Sequence, residues 1–326
     1  MTHSNYSNNS ADFDVLTTHA TQLRDMLNDG TLTSVDIVNQ YLAQIEKHNT
    51  EGLGLRAIIS VAPRDLVTAR ASALDAERAQ GETRGPLHGI PIIVKDAFMT
   101  AASSGMPTSA GAAAFANSFA KRNASIIERL EQQGLIVIGK ASLSEFCGID
   151  ATAGWNGVKG QTQSAFIRVG VRKEDVFYGR STPGGSSSGS GVGVSAGFAP
   201  LSLGTETAGS VCMPANRAGL YALKATHGSM PMDGVFVVTR DHDCYGGMAK
   251  SPEDLSLLMD VFPGRGMDEA AKTVVQDRDW SGISVGFVDP TVWKALQFEN
   301  PDGEVEQQIV RNHDLSDGVV VLVHLY

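Results

Sequence analysis

Three places in the chain carry side chains suited to covalent chemistry. Lys95 closes the apolar run Ile90 to Val94. A lysine at the tip of a buried strand loses hydration, which disfavours the ammonium and brings the amine toward use as a base. Taken alone, the residue reads more readily as a lysine whose stem is buried and whose amine reaches solvent. The second place is Pro183-Gly184-Gly185-Ser186-Ser187-Ser188-Gly189-Ser190-Gly191, and the third is Gly204-Thr205-Glu206-Thr207-Ala208-Gly209-Ser210. Both are small-residue loops that present serine hydroxyls and bare backbone N–H groups, which permits close approach by a ligand. Between them Val192, Val194, Phe198, Leu201 and Leu203 recur at core-like spacing, which a flexible linker would not show.

Other chemistries fit less well. Gly185-Ser186-Ser187-Ser188-Gly189 and Gly193-Val194-Ser195-Ala196-Gly197 both spell G-x-S-x-G, yet neither serine follows the apolar strand that a nucleophile elbow needs. Asp241 and His242 stand in the order of a Ser…Asp…His triad, but adjacent residues rarely serve one another in that way. Ser118-Phe119-Ala120-Lys121 matches S-x-x-K without the S-D-N or K-T-G that should follow. No G-K-[ST] ends the Gly/Ser loop, so it does not read as a phosphate cradle. His242, Asp243 and Cys244 are contiguous and cannot all face one ion from regular backbone, so neither metal nor cofactor is expected. Cys212 reads as a packing residue rather than a reactive thiol.

The apolar strand ending in Lys95, the G-G-S-S loop and the G-T-x-T-x-G-S loop, with Ser186 and Ser210 standing 24 positions apart, together resemble the amidase signature family. The resemblance runs from about Thr33 to the end of the chain and is densest between Gly89 and Lys224. It implies hydrolysis of a small-molecule carboxamide by a Ser-Ser-Lys triad, in which Ser210 attacks, Ser186 bridges through a cis Gly185-Ser186 bond, and Lys95 is the base. Thr207, Ala208, Gly209 and Ser210 would offer N–H groups to the oxyanion, and Ser187 would stand in the substrate site. Glu206 stands where the family commonly has Asp, and Ala208 where it often has Gly or Asp. The family normally continues well beyond Tyr326, so a C-terminally short member is expected. The alternatives are an inactive amidase-like scaffold and an amidotransferase A-type subunit.

The elements that must position these groups alternate between two periods. Helices are expected from Thr33, over Pro63 to Gln80, over Ser125 to Gln133, over Ser251 to Phe262 and over Glu304 to Arg311, and Ala141 to Phe146 is expected to start another short one. Strands are expected at Leu55 to Val61, Ile90 to Val94, Leu135 to Gly139, within Trp280 to Asp289 and at Gly318 to His324. Gly154 to Arg180 reads as a surface insertion. This alternation predicts an α/β fold, a central mixed and largely parallel sheet flanked by helices. Residues 1–11, polar and Asn/Ser-rich, read as a disordered tail, and 12–326 as a single amidase-like domain.

A net charge of −10 argues against nucleic acid or an anionic membrane as partner and favours a small neutral or polar molecule. Three widely spaced cysteines, with no secretory pattern at the start and no apolar run of membrane-spanning length, lead to an expected cytoplasmic location. They say nothing of oligomeric state.

Overall fold

A computed structural model describes residues 13–148, 152–173, 175, 179–262, 285–287 and 321–323. Its elements in order are α1 (Ala20–Asn28), α2 (Ser34–His48), β1 (Ile58–Val61), α3 (Arg64–Ala79), β2 (Pro91–Lys95), α4 (Ser125–Gln132), β3 (Ile136–Ala141), β4 (Trp155–Asn156), β5 (Gly160–Gln161), α5 (Ser188–Ser195), β6 (Leu201–Glu206), α6 (Cys212–Arg217), β7 (Tyr221–Lys224), β8 (Cys244–Ala249), α7 (Pro252–Val261), β9 (Val285–Phe287) and β10 (Val321–Val323). The chain divides into two units, Met1–Gly266 and Met267–Tyr326. The described part of the second is the antiparallel pair β9 and β10, within the two stretches expected to hold strands. The expected 1–11 tail and the helix over Glu304 to Arg311 lie outside the described residues.

In the first unit six strands form one mixed sheet in the order β1-β3-β2-β6-β8-β7. β2 and β6 are buried at every position, as the continuous apolar run of β2 requires of a strand inside a sheet. β2 lies parallel to β3 on one side and to β6 on the other. α4 joins β2 to its parallel neighbour β3, and α5 leads from β3 past β2 into β6 on the other side, the helical crossovers that parallel strands need. The β1/β3, β6/β8 and β8/β7 pairs are antiparallel, with β8 inserted between β6 and β7. Helices α3 and α4 pack on β3, α5 on β2, β3 and β6, and α7 on β8.

The Gly/Ser stretch is only half a loop. From Ser188 it winds into α5, every residue of which is buried except Ser195. Each glycine costs about 1 kcal/mol of helix propensity relative to alanine, so the sequence hides this helix. The glycines are there for contact. A Cβ on Gly189 would lie 2.2 Å from the Ala57 carbonyl oxygen and 2.4 Å from the Ser142 nitrogen, and one on Gly193 would lie 2.4 Å from Ile93 Cδ1. Gly189 N–H instead donates to the Ser142 carbonyl at 2.8 Å. Gly189→Ala is therefore expected to destabilise the protein by about 3 kcal/mol, because backbone atoms cannot step aside. Denaturant melts of the variant and the parent check this, and a difference under ~0.5 kcal/mol would refute it.

Two further departures have local causes. α1 is capped from two sides: Gln22 Oε1 accepts from His19 N–H at 2.8 Å, and the Asp254 carboxylate, 234 positions beyond Ala20, accepts from Ala20 N–H and Thr21 N–H at 2.9 Å each. Ala141 to Phe146 does not start a helix. Ala141 ends β3, and a short 3-10 turn at Glu145–Gly148 holds Phe146 and Cys147 at φ 47° and 60°. The expected surface insertion is partly anchored: Asn156 and Thr162 are buried and bond the Leu143 and Arg56 carbonyls.

Candidate active site

Lys95 and Asp96 adjoin at the carboxyl end of β2, and strand alternation sends them to different partners. Asp96 pairs with Lys140 of β3 at 2.9 Å and accepts from Ser109 N–H and Oγ–H at 3.0 and 2.5 Å. Lys140 also donates to Thr108 Oγ1 at 2.8 Å. Burial lowers the Lys140 pKa and the Asp96 charge partly offsets that, as befits a structural ion pair. Lys140→Met would leave the Asp96 carboxylate buried without its counter-charge, at an expected cost of about 3–5 kcal/mol. A thermal or denaturant melt measures it, and a loss below ~1 kcal/mol would contradict the assignment.

Lys95 is as deeply buried but meets no carboxylate within ion-pair distance among the described residues. Its Nζ lies 2.8 Å from Ser186 Oγ, 2.8 Å from Thr205 Oγ1 and 3.2 Å from the Thr205 carbonyl. Burial drives its pKa below the ordinary lysine value; Cys147, Asp243 and Glu206 oppose that without reversing it. The amine is thus held among oxygens that can share a proton with it.

Ser186 lies two residues before α5, after a Gly185-Ser186 peptide that is cis. Its carbonyl accepts from Ser144 N–H at 2.9 Å, which ties this turn to the end of β3. Ser210 lies in the loop between β6 and α6, and its carbonyl accepts from Ser187 N–H at 3.1 Å, so the two serine loops are joined through backbone. Glu206 shapes the second loop: one carboxylate oxygen accepts from Val211 N–H at 2.7 Å and Cys212 N–H at 2.9 Å, at the loop's far end. The Asp243 carboxylate accepts from Thr207 Oγ1–H and Val238 N–H, both at 2.6 Å. Gly209 takes φ 84°, the left-handed conformation glycine adopts without strain. Among the described residues the N–H groups of Ala208, Gly209 and Ser210 have no acceptor.

Ser186, Thr207, Ala208 and Ser210 line one cavity of about 240 Å³, together with Cys147 and Met213 among others. Ser187 does not line it. Its side chain is fully buried, its hydroxyl donates to the Thr205 carbonyl at 3.1 Å, and Gly204 leaves the room, since a Cβ there would come 2.6 Å from that hydroxyl. Gly209 contributes backbone rather than wall. No sequence pattern singles out Cys147, Ser144, Met213 or Val238, which reach the cavity from separate segments, nor Thr205 as a partner of the amine. Only Thr205 had a signal, its place in the G-T-x-T-x-G-S loop. The rival residues are elsewhere: Asp241 and His242 are exposed, and the Ser195 hydroxyl is spent on the Val192 carbonyl within α5.

Lys95, Ser186 and Ser210 all fall where parallel strands end, the usual location of ligand sites in open α/β sheets. Fold and site together define an α/β protein with a buried lysine–serine centre at the carboxyl edge of its sheet. Residues 36–300 match the family model for amidases, and the chain belongs to the amidase family. It is 32% identical to the A-type subunit of the glutamyl-tRNA(Gln) amidotransferase of Chloroflexus aurantiacus over 259 residues, which cover 79% of this chain and 49% of that protein. Among solved structures it is similar to the native peptide amidase of Stenotrophomonas maltophilia, with 33% identity and a TM-score of 0.69 over 81% of this chain and 51% of the other. An amidase family protein of Bacillus anthracis gives 26% identity and a TM-score of 0.74, over 94% of this chain and 59% of that one. The chain spans about half the length of the curated relatives it matches.

Proposed function

We propose that this protein hydrolyses the C–N bond of a small-molecule carboxamide through an acyl-enzyme on Ser210. Family membership supports the reaction class. The observation that carries the residue roles is the 2.8 Å contact from the uncompensated Lys95 amine to Ser186 Oγ, with Ser186 and Ser210 on one cavity wall.

A serine hydroxyl is a poor nucleophile until its proton is drawn off. As Ser210 Oγ bonds to the carbonyl carbon, its proton passes to the Ser186 oxygen while the Ser186 proton passes to Lys95. The free N–H groups of Ala208, Gly209 and Ser210 suit the negative charge that then develops on the carbonyl oxygen; one such donor is worth roughly 100- to 1000-fold in rate. The relay runs backward to protonate the departing nitrogen. Water then attacks the ester, releasing the acid and restoring the Ser210 hydroxyl. Only a neutral Lys95 can take the first proton, which is why burial without a carboxylate partner matters.

The test is mass spectrometry of the intact protein during turnover of a panel of amides and esters, followed by mapping of any adduct. An acyl group on Ser210 is expected. Hydrolysis with no adduct on Ser210, or none of the panel cleaved, would end the proposal. The amidotransferase relatives favour a second reading, in which the same acyl-enzyme forms from glutamine and the ammonia serves a partner's reaction. Glutamine cleaved only when such a partner is present, with other amides inert, would select it.

A further inference from the structure

The site contains more hydrogen-bonding groups than the proposed reaction uses, and their valences do not balance without one of them. A neutral Lys95 has two N–H bonds and one lone pair, and three oxygens surround it. The Thr205 carbonyl can only accept, so one N–H belongs to it. The other N–H and the lone pair are divided between two hydroxyls, Ser186 and Thr205, which leaves two arrangements. In one, the amine donates to Thr205 Oγ1 and receives the Ser186 proton on its lone pair. In the other, Thr205 donates to the lone pair, the amine donates to Ser186, and the amine has no means of accepting a proton.

The first arrangement needs a second acceptor for the Thr205 hydroxyl, because Thr205 is 4% exposed and solvent does not supply one. Cys147 Sγ, 3.7 Å from Thr205 Oγ1, is placed to be that acceptor. It stands there through uncommon backbone. Phe146 and Cys147 are both left-handed without being glycine, held by Phe146 N–H to the Ala110 carbonyl and Cys147 N–H to the Ser144 carbonyl, 2.9 Å each. We infer that Cys147 is a positioning residue for the reaction proposed above: by accepting from Thr205 it sets the direction of the hydrogen-bond chain, so that the Lys95 lone pair faces Ser186. The inference rests on that reading of Lys95 as the base.

The ionisable neighbours of Lys95 are Cys147 from the 145–148 turn, Glu206 at the end of β6 and Asp243 just before β8; all three favour the ammonium. Removing the sulfur therefore acts twice in one direction. It withdraws that support for the ammonium, and it releases the Thr205 hydroxyl to donate to the lone pair, which favours the neutral amine.

The experiment compares Cys147→Ala, Cys147→Ser, Thr205→Val and the double variant Cys147→Ala/Thr205→Val. It reads the pH profile of kcat/KM on a neutral amide, and the titration of Lys95 by NMR of protein carrying labelled lysine. Cys147→Ala is expected to lower the plateau about 10-fold and to move both the acid limb and the Lys95 titration to lower pH. Cys147→Ser, which restores an acceptor, is expected to recover most of the plateau. The double variant is expected to match Thr205→Val alone, since sulfur without that hydroxyl has nothing to orient. A purely structural cysteine would depress the plateau and leave the limb in place. An unmoved Lys95 titration in Cys147→Ala, or additive effects in the double variant, would overturn the inference. If the parent cleaves no amide, the proposed reaction falls, and the NMR titration still decides the role of Cys147.

Discussion

Ser210→Ala is expected to lower kcat/KM for amide cleavage by roughly 10⁴- to 10⁶-fold, the range seen when a nucleophile is removed from an otherwise intact site. The residual rate would come from the cavity and its N–H donors, which the substitution leaves in place. Stability should change little: Ser210 is only partly buried, and the bond that joins the two loops uses its carbonyl, which alanine keeps. Covalent labelling by a fluorophosphonate should vanish in the same variant. Cleavage above about one per cent of the parent rate, in a variant that melts like the parent, would move the nucleophile elsewhere.

Lys95→Met is the second large effect. Methionine fills the channel of the lysine stem without an amine, so a fall of roughly 10⁴-fold or more is expected with stability held within about 1 kcal/mol. That outcome is the mirror of Lys140→Met, which should cost stability because of Asp96. The combination of Lys95→Met with Ser210→Ala should be little worse than either alone, as for residues acting as one unit. In the parent, kcat/KM should rise with pH through the lowered Lys95 pKa and then level off, because the neutral amine is the competent form. A profile that is flat below the ordinary lysine range, or that falls as pH rises there, would deny Lys95 the part of base.

Much of this is legible in the sequence. β2 and β3 announce themselves as continuous apolar runs, and α2 by its Thr33 and Asp36 capping box, which forms as the sequence suggests. The mixed α/β sheet follows from the alternation of elements, while its parallel pairing is confined to the centre and the pairs toward both edges are antiparallel. The order Lys95, Ser186, Ser210 picks out three segments that meet at one end of that sheet. Other features were out of reach for stated reasons. α5 looks like a loop because its glycines answer to the backbone of neighbouring strands rather than to helix propensity. The first two N–H groups of α1 go to Asp254, a partner no local window contains. Cys147 owes its position to a left-handed turn that the letters Glu-Phe-Cys-Gly do not encode by themselves. Ser187 and Ser186 are neighbours with the same side chain, and only the turn of the backbone sends one hydroxyl to the amine and the other into the sheet.

The close seating of α5 against the strands also bears on how the protein can be re-engineered. A library that randomises this helix would mostly sample misfolded clones, whatever selection is applied, since Gly189, Gly191 and Gly193 each have a neighbouring atom less than 3 Å from where a side chain would begin. Diversity belongs instead at Ala208, Met213 and Val238, cavity positions not packed into the sheet, where a change of bulk alters the shape of the cavity and leaves the scaffold alone.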